Sequence, residues 1–127
     1  MRTLIVEDDV HTIELLRFLV EKLGFETAVA DNVVDALAAL ERLADIELVI
    51  LDILLPSQSG VELLKYLNVE HPAIKVLIVS AHVGVLDKQD PLVQMTPKLA
   101  KPFRQEQFRE AIYRLGFEPP APDLAHI

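Results

Sequence analysis

Leu48-Val49-Ile50-Leu51-Asp52 is the stretch that decides the fold class, because four apolar residues are closed by a carboxylate. A strand that is apolar on both faces is typical of the centre of a parallel sheet, where helices cover both sides. Asp52 then stands at the carboxyl end of that strand, which is the edge where open α/β sheets bind their ligands. The stretch therefore predicts a buried central strand that delivers an acidic group to a binding edge.

On either side of this strand, short apolar runs alternate with longer amphipathic stretches. Four further strands are predicted, over 3–6, 27–30, 75–79 and 98–100. Apolar residues at helical spacing predict helices over 10–23, 32–44, 59–68 and 104–115. The alternation predicts an α/β fold, a five-stranded parallel sheet that is doubly wound in the flavodoxin-like order 2-1-3-4-5, with helices on both faces.

Two segments depart from this regular pattern. Residues 82–96 should hold a fourth helix, but they carry Gly84, Pro91 and a poor apolar pattern, which predicts a short or broken helix. Three prolines after the last helix predict a Pro-rich C-terminal tail over 117–127. We therefore expect one domain over 1–116, followed by that tail.

Composition excludes several classes of partner. The 127 residues include 20 acidic against 12 basic side chains, for a net charge of −8, and a surface of that sign repels nucleic acids and anionic membranes. No apolar run approaches the ~18 residues that span a bilayer, and the acidic start does not fit a signal peptide. Because cysteine is absent, neither a disulfide nor a thiolate metal site is expected. We expect a cytoplasmic domain whose partners are proteins.

Polar groups follow four of the predicted strands at the binding edge. They are Glu7, Asp8 and Asp9, then Asp52, Ser80 and Lys101. Carboxylates held close together repel one another unless a cation intervenes, and a hard divalent ion such as Mg²⁺ prefers oxygen ligands. Of the three acids after the first strand, Asp9 precedes a helix and is better explained as its N-terminal cap than as a ligand.

This set of groups suits phosphoryl transfer to a carboxylate. Asp52 can act as the nucleophile and form an aspartyl phosphate, and the catalysis is then mostly positioning and charge stabilisation. The formal charges of three carboxylates sum to −3, and Mg²⁺ together with Lys101 supplies +3. A site made of Glu7, Asp8, Asp52, Lys101 and the ion is then nearly neutral and can admit an anionic phosphoryl group. The Ser80 hydroxyl is available as a further donor to a phosphoryl oxygen.

Five motifs carry a resemblance to a known family. They are Leu4-Ile5-Val6-Glu7-Asp8-Asp9, Val49-Ile50-Leu51-Asp52-Ile53-Leu54-Leu55-Pro56, Ser59-Gly60, Val79-Ser80-Ala81 and Lys101-Pro102-Phe103. In this order and spacing, over about residues 2–116, the chain resembles the response-regulator receiver domain of two-component signalling. The resemblance implies a module that is phosphorylated by a sensor histidine kinase or a histidine phosphotransfer protein and that switches protein–protein interactions. It does not imply a stand-alone enzyme.

The same resemblance implies a role for each site residue. Asp52 is the phosphoacceptor, and Glu7 with Asp8 is the Mg²⁺-binding pair, with the backbone carbonyl of Leu54 as a further ligand. Ser80 is the switch hydroxyl, and Lys101 contacts the phosphoryl group across a cis bond to Pro102.

Two departures from the family pattern affect the surface that would bind a downstream partner, and leave the residues for phosphoryl transfer in place. Lys98 stands where relatives usually carry an aromatic residue, and the small Gly-Ala pair before the last strand is missing. Both changes suggest an unusual output face. His82, two residues after Ser80, is either an exposed turn residue or a group that tunes attack of water on the acyl phosphate.

Two alternative functions follow from other readings of the same residues. One is a pseudo-receiver, an interaction scaffold that is not phosphorylated, although a scaffold has no reason to keep the anionic cluster. The other is an enzyme on a similar sheet, but an aspartyl-phosphate phosphatase needs its nucleophile after the first strand, and a flavin phosphate needs a Gly/Ser/Thr-rich loop there. None of these 127 residues has the pattern of a DNA-binding domain. We therefore expect the domain to signal by binding another protein or by passing the phosphoryl group on.

Overall fold

The computed structural model describes residues 1–55, 60–81 and 90–117. Within them, five parallel strands form one sheet in the order β2-β1-β3-β4-β5. The strands are β1 Arg2–Val6, β2 Glu26–Ala30, β3 Ile46–Leu51, β4 Lys75–Ser80 and β5 Lys98–Ala100. The helices are α1 Val10–Lys22, α2 Val33–Arg42, α3 Gly60–Glu70, α4 Pro91–Met95 and α5 Gln105–Arg114. This confirms the predicted fold class, strand order and parallel pairing.

Two apolar clusters lie on opposite faces of the sheet. Val49 and Leu51 of β3 pack with α2, α3 and α4, whereas Leu48 and Ile50 pack with α1 and α5. Because successive side chains of a strand point to opposite faces, the apolar run 48–51 of β3 serves both clusters. Burial on both faces of the sheet is therefore the physical reason why these four successive residues are apolar.

The helix ends follow from local hydrogen bonds. The Asp9 carboxylate accepts from the backbone N–H of Thr12 at 3.0 Å and from its hydroxyl at 2.7 Å, so the prediction that Asp9 caps α1 is confirmed. Gly24, at φ 94°, ends the turn after α1, as its position predicted. The second helix is shorter than the predicted 32–44, because Leu43 already has extended backbone angles.

The predicted fourth helix is described only in part. Pro91–Met95 forms a single short helix, capped by the Asp90 carboxylate, which accepts from the N–H of Leu92 at 2.9 Å. Residues 82–89, the predicted cap at Ser59 and the tail from 118 onward lie outside the described residues. The division into a domain over 1–116 and a tail over 117–127 remains a prediction. No helix in the described ranges is long and apolar enough to cross a membrane.

Backbone pairing continues one residue beyond several strand ends. The N–H of Asp52 donates to the carbonyl of Val6 at 3.0 Å, and the N–H of Lys101 donates to the carbonyl of Ser80 at 2.9 Å. These bonds fix the first residues after β3 and β5 at the carboxyl edge of the sheet. The strand-end groups that the sequence singled out are thereby held at one edge.

Candidate functional site

Three polar side chains at the carboxyl edge are almost fully buried. Glu7 is 2% exposed, Asp52 is 9% exposed and Ser80 is 1% exposed. Burying a charge is costly unless it is paired or hydrogen-bonded. Their burial in an otherwise apolar interior therefore requires compensating partners.

Lys101 is the partner of both buried carboxylates. Its Nζ lies 2.9 Å from Glu7 Oε2 and 3.5 Å from Asp52 Oδ2, and its side chain is 20% exposed. Burial lowers the pKa of Lys101, but the hydrogen bond to Glu7 and the attraction of both carboxylates outweigh it, so the net shift of this pKa is upward. Lys101 is therefore a firmly charged ammonium at neutral pH.

The other oxygen of each carboxylate is held by a backbone N–H. Glu7 Oε1 accepts from Asp9 at 3.2 Å, and Asp52 Oδ1 accepts from Leu54 at 3.0 Å. Burial raises the pKa of Glu7, and the charge of Asp52 adds to this rise, while the hydrogen bond from Lys101 opposes it. Each carboxylate is thus fixed in orientation, with one oxygen toward the backbone and the other toward Lys101.

Gly60, the first residue of α3, lies directly against the backbone that follows Asp52. Its N–H donates to the carbonyl of Ile53 at 2.9 Å. A Cβ on residue 60 would lie 2.8 Å from Ile53 Cα, which is closer than real Cβ atoms come, and 3.1 Å from the Asp52 carbonyl oxygen, which is a tight contact. In the sequence, Gly60 stands out only as part of the Ser59-Gly60 motif, although a glycine at the start of a predicted helix is itself a signal of close backbone approach.

A metal ion fits the acidic part of the site. Glu7, Asp8 and Asp52 each offer a carboxylate oxygen, and these atoms lie within 4.8 Å of one another. Their formal charges sum to −3 and Lys101 contributes +1, so a divalent cation would bring the four residues to neutrality. Hard oxygen donors suit Mg²⁺, which usually binds directly through one or two carboxylates and keeps water ligands, so one of the three carboxylates can act through a bound water.

The remaining predicted residues stand as follows. The Lys101–Pro102 bond is cis, as predicted. Leu54 lies two residues beyond Asp52 and bonds to it through its N–H, while the metal-binding role of its carbonyl remains a prediction. The hydroxyl role of Ser80 also remains a prediction, and His82 lies outside the described residues.

Comparison with known proteins identifies relatives along most of the chain. The family described as "Response regulator receiver domain" matches residues 3–113. The sensory transduction protein RegX3 of Mycobacterium tuberculosis is 38% identical over 85 residues, which are 67% of this chain and 37% of that protein. The alginate biosynthesis transcriptional regulatory protein AlgB of Pseudomonas aeruginosa is 31% identical over 111 residues, 87% of this chain and 24% of that protein. The chain thus spans little more than a third of these curated relatives at most.

Solved structures show the same architecture. The response regulator TrrA from Thermotoga maritima, solved in complex with Mg²⁺-BeF, superimposes with a TM-score of 0.79 at 26% identity, covering 90% of this chain and 97% of that one. A CheY-like receiver domain from Methylobacillus flagellatus gives a TM-score of 0.77 at 26% identity, covering 91% and 98%. Both structures match about nine tenths of this chain.

Proposed function

Because this chain belongs to the response regulator receiver domain family of two-component signalling, we propose that it accepts a phosphoryl group on Asp52 in the presence of Mg²⁺. The observation that carries the proposal is the bridge from the Lys101 ammonium to the carboxylates of Glu7 and Asp52. That bridge supplies a fixed positive charge beside a buried, oriented nucleophile. The donor we propose is a phosphohistidine on a sensor histidine kinase or a histidine phosphotransfer protein.

In the transfer step, a carboxylate oxygen of Asp52 attacks the phosphorus of the phosphohistidine. The new bond is O–P, the bond that breaks is N–P, and its electron pair returns to the imidazole of the donor. Leu54 contributes by holding Asp52 Oδ1 with its N–H at 3.0 Å, which keeps the carboxylate in one orientation. A preoriented nucleophile lowers the entropic part of the barrier.

The surrounding residues stabilise charge. The Lys101 ammonium pairs with a phosphoryl oxygen once Asp52 has been modified, and the Ser80 hydroxyl donates to another. Glu7, Asp8 and Asp52 would hold Mg²⁺, with the Leu54 carbonyl as a further ligand, and the bound ion supplies positive charge against the phosphoryl oxygens. The chain itself thereby assists its phosphorylation and its dephosphorylation.

The output we propose is a change in protein–protein binding. Phosphorylation shifts an equilibrium between two conformations only through interactions that differ between them. Some relatives are named as DNA-binding regulators, such as MtrA of Mycobacterium leprae, but this chain matches 37% of that protein. Because the net charge of −8 disfavours contact with nucleic acid, we propose that residues 1–116 act through protein contacts, and that 117–127 form a tail outside the domain.

Incubation with acetyl phosphate tests the proposal. Intact-protein mass spectrometry should show the addition of one phosphoryl group, only with Mg²⁺ present, and Asp52→Asn should show none. The matched control is Glu47→Gln, which removes an exposed carboxylate from the same strand and should be modified like the wild type. Absence of modification in the wild type with Mg²⁺ present would overturn the proposal.

The alternative function is an interaction scaffold that takes no phosphoryl group. The specific observation in its favour is that Lys98, at a position that relatives fill with an aromatic residue, is bound to backbone carbonyls at the end of α4. Calorimetric titration with Mg²⁺ separates the two functions. A scaffold shows no saturable binding, whereas the phosphoacceptor binds one ion and loses that binding in Asp8→Asn.

A further inference from the structure

A small cavity lies between α1 and α5, on the face of the sheet opposite to α2 and α3. Its volume is about 100 Å³, and it is lined by Leu19, Lys22, Leu23, Gln105, Phe108 and Arg109. Leu19 and Phe108 are buried members of the apolar cluster on this face, so the interior of the cavity is apolar. A cavity of about 150 Å³ holds one benzene molecule, so this one suits a single aliphatic side chain.

The rim of this α1–α5 cavity is cationic. Lys22 and Arg109 line it and no carboxylate does, although the chain carries 20 acidic against 12 basic residues. Neither cation takes part in an ion pair within the part of the chain that the structure describes. The Lys22 ammonium lies over the ring of Phe18, 5.7 Å from its centroid. Because opposite charges favour association, the cavity suits an acidic segment that carries one aliphatic side chain.

Phe117, the last described residue, brings the chain to this cavity. Its ring packs edge-on against the ring of Phe25, with the two centroids 5.2 Å apart, and it contacts the same apolar cluster. Phe25 comes two residues after Leu23, which lines the cavity, so their Cα atoms are at most about 7 Å apart. The segment that follows Phe117 therefore starts beside the cavity.

The segment 118–127, which lies outside the described residues, has the composition that the cavity suits. It carries two carboxylates, Glu118 and Asp123, and no Lys or Arg. Leu124 is the first large aliphatic residue after Phe117. Its prolines favour an extended chain of about 3.1 Å per residue, so the stretch from Phe117 to Leu124 spans up to about 22 Å. Helix α1, with 13 residues, is about 20 Å long, so Leu124 can reach any point along it.

We propose that the segment 118–127 folds back onto the domain and places the Leu124 side chain in the α1–α5 cavity. Asp123, next to Leu124, then lies within reach of the cationic rim, and Glu118 adds a second negative charge near it. The bound segment closes this face to other partners until it is displaced. The inference goes beyond the proposed phosphoryl transfer, and it depends neither on Mg²⁺ nor on Asp52.

The test uses a nitroxide spin label on the full chain, read out by NMR. Because the chain has no cysteine, Ala125→Cys gives one attachment point, adjacent to Leu124. A segment tethered by a short linker has an effective concentration in the millimolar range, so the amide signals of 19–23 and 105–109 should weaken at least about twofold relative to the reduced label. Signals of α2 and α3, on the other face of the sheet, should keep their intensity.

Two pairs of variants of the labelled chain test what holds the segment. Leu124→Ser should restore the weakened signals, whereas Ile127→Ser, at the other large aliphatic residue of the segment, should leave them weak. Lys22→Gln should restore them in part, whereas Arg17→Gln, at an exposed cation of α1 outside the cavity, should not. None of these four residues belongs to either apolar cluster, so we expect each variant to fold.

Three outcomes would overturn the proposal. If the signals of 19–23 and 105–109 keep their intensity, the cavity is left to a partner other than this segment. If Ile127→Ser restores the weakened signals and Leu124→Ser does not, Leu124 is not the residue in the cavity. The third uses a mixture of spin-labelled chain at natural isotope abundance with ¹⁵N-enriched wild type: weakening of the wild-type signals would show that the segment binds a second copy instead.

Discussion

The Nζ of Lys101 donates to Glu7 Oε2 at 2.9 Å and so joins the ends of β5 and β1, which are separated in the sheet by β3 and β4. The side chain of Lys101 therefore reaches across the edge of the sheet, passing Asp52 at 3.5 Å on the way. A single cation from the end of β5 thus neutralises part of the negative charge that β1 and β3 deliver to this edge.

Removal of this cation should destabilise the protein. In Lys101→Met, the buried Glu7 carboxylate loses its partner beside Asp52, and we expect the free energy of unfolding without Mg²⁺ to fall by about 2 kcal/mol, less than for a fully buried pair because Lys101 is partly exposed. Urea denaturation at neutral pH measures this. The double variant Glu7→Gln/Lys101→Met should recover most of the loss. An unchanged stability in Lys101→Met would show that the bridge does not compensate the buried charge.

Gly60 should be intolerant of any side chain. A Cβ there meets the backbone of Asp52 and Ile53 rather than a flexible side chain, so Gly60→Ala must displace the segment that orients the nucleophile. We expect a loss of about 1–3 kcal/mol in unfolding free energy and slower modification by acetyl phosphate. Gly24→Ala, which is strained by the positive φ of Gly24 at a distant turn, should lose stability without slowing modification. Wild-type kinetics in Gly60→Ala would contradict the proposed contact.

Thr3 offers a stabilising substitution. Its hydroxyl is buried and has no hydrogen-bond partner in the part of the chain that the structure describes. Thr3→Val replaces the hydroxyl by a methyl group of similar size, and the free energy of unfolding should rise by about 1 kcal/mol. Thr27, its register partner on β2, donates to Glu21 at 3.1 Å, so Thr27→Val should bring no gain. A lower stability of Thr3→Val would indicate that its hydroxyl has a partner, such as a buried water.

The pair Arg2–Asp45 should contribute a pH-dependent stability. The hydrogen bond from Arg2 lowers the pKa of Asp45, so the contribution is present above the ordinary carboxyl pKa and is lost as the pH falls through the lower pKa of the folded state. We expect Asp45→Asn to melt slightly below the wild type at about pH 7 and together with it below about pH 3. High salt should shrink the difference at neutral pH, since the pair is exposed. A difference that persists in acid would exclude this origin.

The architecture could be predicted from the sequence, because packing on both faces of β3 requires a run of apolar residues. The alternation of such runs with amphipathic stretches likewise follows from how strands and helices pack. The meeting of Glu7, Asp52 and Lys101 could also be predicted, because parallel strands bring their carboxyl ends to one edge. The bonds of Lys98 to backbone carbonyls could not, since peptide acceptors leave no trace in a side-chain pattern. The close approach of Gly60 likewise depends on how α3 docks, which single-residue preferences do not specify.

The central claim is that Asp52, and no other acid of the cluster, accepts the phosphoryl group. Its most direct measurement is borohydride reduction of the protein after treatment with acetyl phosphate and Mg²⁺, which converts an aspartyl phosphate to homoserine, followed by peptide mapping. The account predicts homoserine at position 52, with Asp8 and Asp9 unaltered. Homoserine at position 8 or 9 instead, or none at 52 in a protein that has gained a phosphoryl group, would contradict it.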